Sequence, residues 1–164
     1  MTVSLNGWPV PPKKLVTMAV PGAARRLTLA VDAAPLLIAL ASDYHKTVCP
    51  LDKNATDEGG YNNRDANGAP GRKSNHASGS AMDLNWSEEG RQGGAWGKKF
   101  FAQAKTKLAV AVLKKRYGSC VQWGGDWRAQ DFMHWEIKPG VSYADCAALC
   151  KKLGIDSSGV RKTP

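Results

Sequence analysis

Apolar positions recur at helical spacing from Ala33 to Val48, where Leu36, Leu37, Leu40, Tyr44 and Val48 fall on one face. Asp32 is a suitable N-cap for this first helix, and Pro35 sits in the first turn, where its missing amide donor is tolerated. A second helix is predicted from Trp96 to Tyr117, with Phe100, Phe101, Ala104, Leu108, Ala111 and Val112 as its apolar stripe and Gly118 at its end. A third starts at Ser142, where Ser142 and Asp145 match a capping box with Val141 as a staple, and it ends near Gly154. Ala81–Trp86, Cys120–Trp123 and Phe132–Lys138 read as short strands, the last two separated by a Gly-Gly-Asp turn region.

Between these elements the pattern dissolves. Pro9, Pro11, Pro12 and Pro21 each remove a backbone donor, so residues 1–26 are expected to form an irregular arm without helix. Residues 50–80 are rich in Gly, Asn and Asp and read as one long loop, a kind of segment that is usually functional or disordered. The tail from Asp156 to Pro164 is polar and expected to fray. Helices and strands segregate more than they alternate, which predicts an α+β fold. With 164 residues and no convincing linker or repeat, the chain reads as one domain spanning 1–164.

Composition narrows the partners. At 43% hydrophobic and 23% charged residues the chain is compositionally globular rather than disordered. Lys and Arg number 23 against 14 Asp and Glu, a net charge of +9 that favours polyanions such as nucleic acid, acidic lipid or wall polymers. No basic-aromatic motif or zinc-finger spacing singles out nucleic acid. Lys98, Lys99, Lys105, Lys107, Lys114, Lys115 and Arg116 crowd the second helix, either as a solvated face or as a contact for anionic wall polymer. The apolar run from Ala33 to Ser42 is far shorter than the roughly 20 residues of a spanning helix, and Met1–Val10 has no signal-like pattern. Synthesis in the cytoplasm is therefore expected. Cys49, Cys120, Cys146 and Cys150 are too few for a disulfide scaffold, and Cys146 and Cys150 read as small buried thiols on one helix face.

The chemistry concentrates around two of the three histidines. Ser74-Asn75-His76-Ala77-Ser78-Gly79-Ser80-Ala81-Met82-Asp83 sets an imidazole and a carboxylate seven positions apart across a Gly-containing bend. Asp131-Phe132-Met133-His134-Trp135-Glu136 sets carboxylates on both sides of another imidazole. A catalytic zinc takes three ligands of these types and keeps a fourth position for water. His76, Asp83 and His134 would supply that set, leaving Asp131 or Glu136 as a base. A His beside a carboxylate also forms purely structural pairs, so spacing alone leaves both readings open. His45 reads as an ordinary, partly exposed residue of the first helix.

The segment Ser74–Asp83 resembles the S-x-H-x-x-G-x-A-x-D signature of the zinc D-alanyl-D-alanine carboxypeptidase family, which includes VanY-like enzymes and L-alanyl-D-glutamate endopeptidases. Asp131 to His134 resembles its second signature, an acidic residue three positions before the last zinc-binding His. Asn6-Gly7-Trp8-Pro9, Gly59-Gly60-Tyr61-Asn62-Asn63-Arg64 and Trp123-Gly124-Gly125-Asp126-Trp127 are similar to peptidase domains of endolysins from phages of actinobacteria, so the resemblance runs from about residue 4 to 138.

This resemblance implies a small, mainly antiparallel sheet with flanking helices and a zinc ion held by His76, Asp83 and His134. It implies Asp131 as acid/base, where many relatives carry the longer Glu. Arg64 corresponds to an arginine that binds substrate and stabilises the oxyanion, and Ser74 to a serine that contacts substrate. Glu136 is expected in a supporting role, and the second ring nitrogens of both histidines need orienting partners. The implied activity is hydrolysis of a peptidoglycan stem-peptide bond by an endolysin-type endopeptidase, acting as a monomer on the wall after release from the host cytoplasm. The alternatives are a D-Ala-D-Ala carboxypeptidase and a non-catalytic basic module that binds the wall.

Overall fold

The computed structural model describes residues 1–51, 56–87 and 95–162. Residues 52–55 of the expected loop and 163–164 of the expected tail lie outside this range. The architecture is α+β, with small antiparallel sheets and four α-helices among the described residues. None of these helices is long and apolar enough to cross a membrane.

The arm is more ordered than its prolines suggest. Strands β1 (Leu15–Ala19) and β2 (Arg26–Ala30) form an antiparallel hairpin in the register Leu15↔Ala30 to Ala19↔Arg26. The prolines lie outside both strands, so no ladder donor is lost. Helix α1 (Ala34–Thr47) follows, and Leu36, Leu37, Ile38 and Leu40 are fully buried, so it is covered on all sides until its last turn, where Lys46 and Thr47 are exposed. Its N-cap is Ala33 with no side-chain cap, and Asp32 does not perform that role.

The expected loop contains a hairpin of β3 (Asp65–Ala66) and β4 (Ala69–Lys73), turning at Asn67-Gly68 with Gly68 at a φ of +72°. Asn-Gly favours this left-handed conformation, and the dipeptide was the available signal. Strand β5 is shorter than expected, Ala81–Asp83. The predicted second helix is two helices, α2 (Ala95–Ala102) and α3 (Ala104–Tyr117), because Gln103 is extended at φ −63° and ψ 137°. That break rotates the buried face of α3 to Thr106, Val110, Leu113 and Tyr117, and Leu108 is left 68% exposed.

Strand β6 (Val121–Trp123), a 3₁₀ turn (Gly124–Asp126) and β7 (His134–Ile137) complete the central sheet, ordered β5-β7-β6. Helix α4 (Tyr143–Leu153) has the expected capping box of Ser142 and Asp145 and ends at Gly154 with φ +65°. The tail to residue 162 is docked rather than frayed. Ile155 bridges Arg161, the Lys162 amide donates to Gly154 O at 2.9 Å, and Arg161 pairs with Asp43 of α1. Cys146 is buried and Cys150 half-buried, both as free thiols, and burial pushes the Cys146 thiol up to about 12.

Residues alternate across a strand. Trp135 and Ile137 of β7 thus enter the core, where Trp135 meets Tyr44 and Trp123 at ring-centroid distances of 6.5 and 5.7 Å. His134 and Glu136 project to the opposite face. Because Leu113 belongs to the core and Leu108 does not, Leu113→Ala is expected to lower unfolding stability by about 2–5 kcal/mol. Leu108→Ala is expected to change it by no more than about 0.5 kcal/mol in the same urea titration.

Candidate metal centre

The sheet register builds most of the site. Asp83 stands directly opposite His134, and Gln122 and Ala81 flank Glu136 on either side of β7. Cross-strand partners share a face, so Asp83, His134, Glu136 and Gln122 form one polar surface.

His76 arrives from the turn Ser74–Ser80, packed against β2. Gly79 holds a φ of +66°, and a Cβ there would lie 2.5 Å from Ala30 N. The Ala30 amide donates to Gly79 O at 2.9 Å, and the Asn62 amide donates to His76 O at 3.2 Å. The Ser74 hydroxyl accepts from the His76 amide at 3.3 Å, so this serine shapes the turn. Gly60 fits beneath because a Cβ there would lie 2.2 Å from Thr28 O.

These elements bring together the three nominated ligands. His76 Nε2, His134 Nδ1 and a carboxylate oxygen of Asp83 all lie within 4.8 Å of one another. His134 Nδ1 is 3.0 Å from Asp83 Oδ1, His76 Nε2 is 3.3 Å from Asp83 Oδ2, and the two ring nitrogens are 3.2 Å apart.

Their outer nitrogens are committed elsewhere. His76 Nδ1 lies 2.7 Å from Gly60 O, which can only accept, so Nδ1 carries the proton. His134 Nε2 lies 2.7 Å from Glu136 Oε2 and donates to that carboxylate. In neutral rings the two inward nitrogens are therefore bare lone pairs facing an anionic Asp83. That set is electron-rich throughout and fits a bound cation; two imidazoles and one carboxylate are ligands of the zinc type. Without a cation, protons must serve. Burial disfavours charge on His134, but the Asp83 and Glu136 carboxylates outweigh it and raise its pKa to about 10. Asp83 is itself desolvated, yet both imidazoles hold its carboxyl well below the usual range.

Glu136 accepts at Oε2 from Asn75 Nδ2 (2.6 Å) and at Oε1 from Gln122 Nε2 (2.6 Å). Burial raises its pKa, but these bonds and the one from His134 more than offset it and keep Glu136 ionised. Its place two residues after His134 on a strand was the sequence signal for this role.

Asp131 lies just before β7, its amide donating to Gly124 O at 3.0 Å. Its Oδ1 is buried with no hydrogen-bond partner among the described residues. Burial raises its pKa, helped by the Asp83 charge and opposed by His134 and His76. Arg64 is not brought onto the cluster: among the described residues its guanidinium donates to Asp65 O at 3.3 Å and Asn67 Oδ1 at 3.1 Å, within the hairpin. Trp127, which sequence reasoning passed over as a site residue, places its ring 5.1 Å from that of His134 and is 36% exposed. His45 is half-buried and accepts from the Leu51 amide at 3.0 Å, away from the cluster.

Residues 67–137 match the family model of the D-alanyl-D-alanine carboxypeptidases. This similarity supports a peptidase. The matched segment is under half of the chain, yet it contains His76, Asp83, Asp131 and His134. No curated protein and no solved structure matches.

Gly124 packs directly against the segment that carries Asp131 and His134. A Cβ there would lie 2.4 Å from Asp131 O and 3.1 Å from His134 Cβ. Gly124→Ala must therefore displace the segment that carries both residues. The expected loss of stability is about 1–3 kcal/mol, with a larger proportional loss of metal affinity, checked by urea unfolding and metal titration of the same variant.

Proposed function

We propose that this chain is a zinc-dependent peptidase that hydrolyses an amide bond in peptidoglycan stem peptides, as an endopeptidase of the endolysin type. The observation that carries the reading is the convergence of His76, Asp83 and His134 beside the buried carboxyl of Asp131, inside the segment similar to peptidases. When bound, zinc would lower the pKa of water from about 15.7 towards about 7 and polarise the scissile carbonyl.

The protein's own groups do the rest. Asp131, made more basic by burial, accepts a proton from the attacking water and returns it to the leaving nitrogen. Gly60 O and Glu136 hold both imidazoles in the tautomers that aim lone pairs inward. Trp127 presents an apolar wall beside His134, on which the flank of a peptide can pack. Arg64 reaches a substrate oxygen only by leaving Asn67, a bond on an exposed turn that breaks at little cost. Internal cleavage is supported by the endolysin-like segments at 59–64 and 123–127. Release of a terminal D-alanine is the second reading, supported by the description of the matched family.

Digestion of purified peptidoglycan followed by mass analysis distinguishes the readings. New internal amino termini are expected; free D-alanine would indicate the carboxypeptidase, and intact wall with bound protein would indicate a binding module. The parent chain is expected to hold about one zinc and His76→Ala much less, by the three-ligand logic. Asp131→Ala is expected to keep zinc while hydrolysis falls about 10²–10⁴-fold. Full zinc and full activity in His76→Ala would refute the ligand assignment. Near-normal turnover of Asp131→Ala would move the proton carrier elsewhere.

A further inference from the structure

The N-terminal segment reaches the metal centre through an unbroken series of buried hydrogen bonds. Ser4, Asn6 and Trp8 are each only 4% exposed although they precede the first strand. Trp8 Nε1 donates to Val141 O at 2.8 Å and its ring meets Tyr143 edge-on at 4.5 Å. The Asn6 side chain donates to Ser80 Oγ at 2.8 Å and Ile137 O at 2.9 Å, clamping the His76 turn to the end of β7. The Asn6 amide then donates to Asn75 Oδ1 at 2.8 Å.

A backbone amide can only donate, so the contacted atom of Asn75 is its oxygen and the carboxamide has one orientation. The nitrogen consequently faces Glu136 and donates to Oε2 at 2.6 Å, the same oxygen that takes the His134 Nε2 proton at 2.7 Å. Neither asparagine touches the converging ligand atoms. Both stand where they fix the angle at which Glu136 holds the His134 ring.

We infer that Asn75 and the segment Ser4–Trp8 are positioning elements of the metal centre: the Asn6 amide orients the Asn75 carboxamide, which orients Glu136, which aims His134 Nδ1. The inference rests on the metal reading above and extends it outside the matched residues 67–137. The site then depends on a stretch of chain about sixty residues before that segment begins.

The test measures zinc affinity of the full chain by competition with a chromophoric chelator, with thermal unfolding of the metal-free form recorded in parallel. Asn75→Asp keeps the acceptor for Asn6 but loses the donor to Glu136, and Asn75→Leu loses both. Each is expected to weaken zinc binding about 10–100-fold, the usual effect of removing an outer partner of a ligating histidine. Asn6→Ala leaves Asn75 and Glu136 chemically intact and unclamps the arm, so it is expected to act in the same direction by a smaller factor. It also keeps the inference testable if the Asn75 variants do not fold. Leu113→Ala loosens the core away from the site and is expected to leave zinc affinity unchanged. The proton resonance of His134 Nε2–H supplies a second reading, and it is expected to shift in the Asn75 variants. Parental zinc affinity in folded Asn75 and Asn6 variants, or a loss no greater than that of Leu113→Ala, overturns this inference alone. A parent chain that binds no zinc overturns the metal reading and this inference with it.

Discussion

Pairing of β5 with β7 sets Asp83 across from His134, while the turn before β5 delivers His76 to the same point. Gly60 O and Glu136 take the outer imidazole protons, so three electron-rich atoms meet at separations of about 3 Å. Left to themselves such groups repel, and at this depth water does little to screen them. The neighbouring structure must therefore hold them in place until positive charge reconciles them. The glycines at 60, 79 and 124 allow backbone to approach backbone closely enough to do so.

The central sheet divides the work between its two faces. On one, Met82, Trp135 and Ile137 join the core, and Trp123, Phe132 and Phe101 back it with rings stacked or tilted about 5–6 Å apart. On the other, Glu136 receives donors from His134, Asn75 and Gln122. A buried polar network of this kind is rigid when fully satisfied and costly when it is not. Rigid aromatic packing behind the strand limits how far its polar face can drift.

Much of the site was readable from local spacing, because Ser74–Asp83 and Asp131–His134 each occupy one turn or strand and their order along the chain is kept in space. Glu136 is readable as a neighbour of His134 because the pattern of Phe132–Lys138 predicts a strand. The contact of Asn6 with Asn75 spans 69 positions and runs through a backbone amide, which no side-chain pattern betrays. The break at Gln103 involves neither Gly nor Pro, so periodicity ran straight through it and turned the wrong face of α3 inward. Prolines at 9–12 and 21 hid the hairpin between and beyond them, and the tail was held by Arg161 reaching Asp43 across 118 positions. Local rules describe elements well; they are silent on which distant element covers them.

The order in which these residues emerge during synthesis has its own consequence. His134 follows Asp83 by 51 positions, and Glu136 follows Asn75 by 61. At about 5–20 residues per second, roughly 3–10 seconds of translation separate Asp83 from His134. Throughout that interval the nascent chain carries two of the three converging side chains and gains β6, but lacks β7. The pocket is completed only when the strand in the middle of the sheet, made after both its neighbours, slides between them.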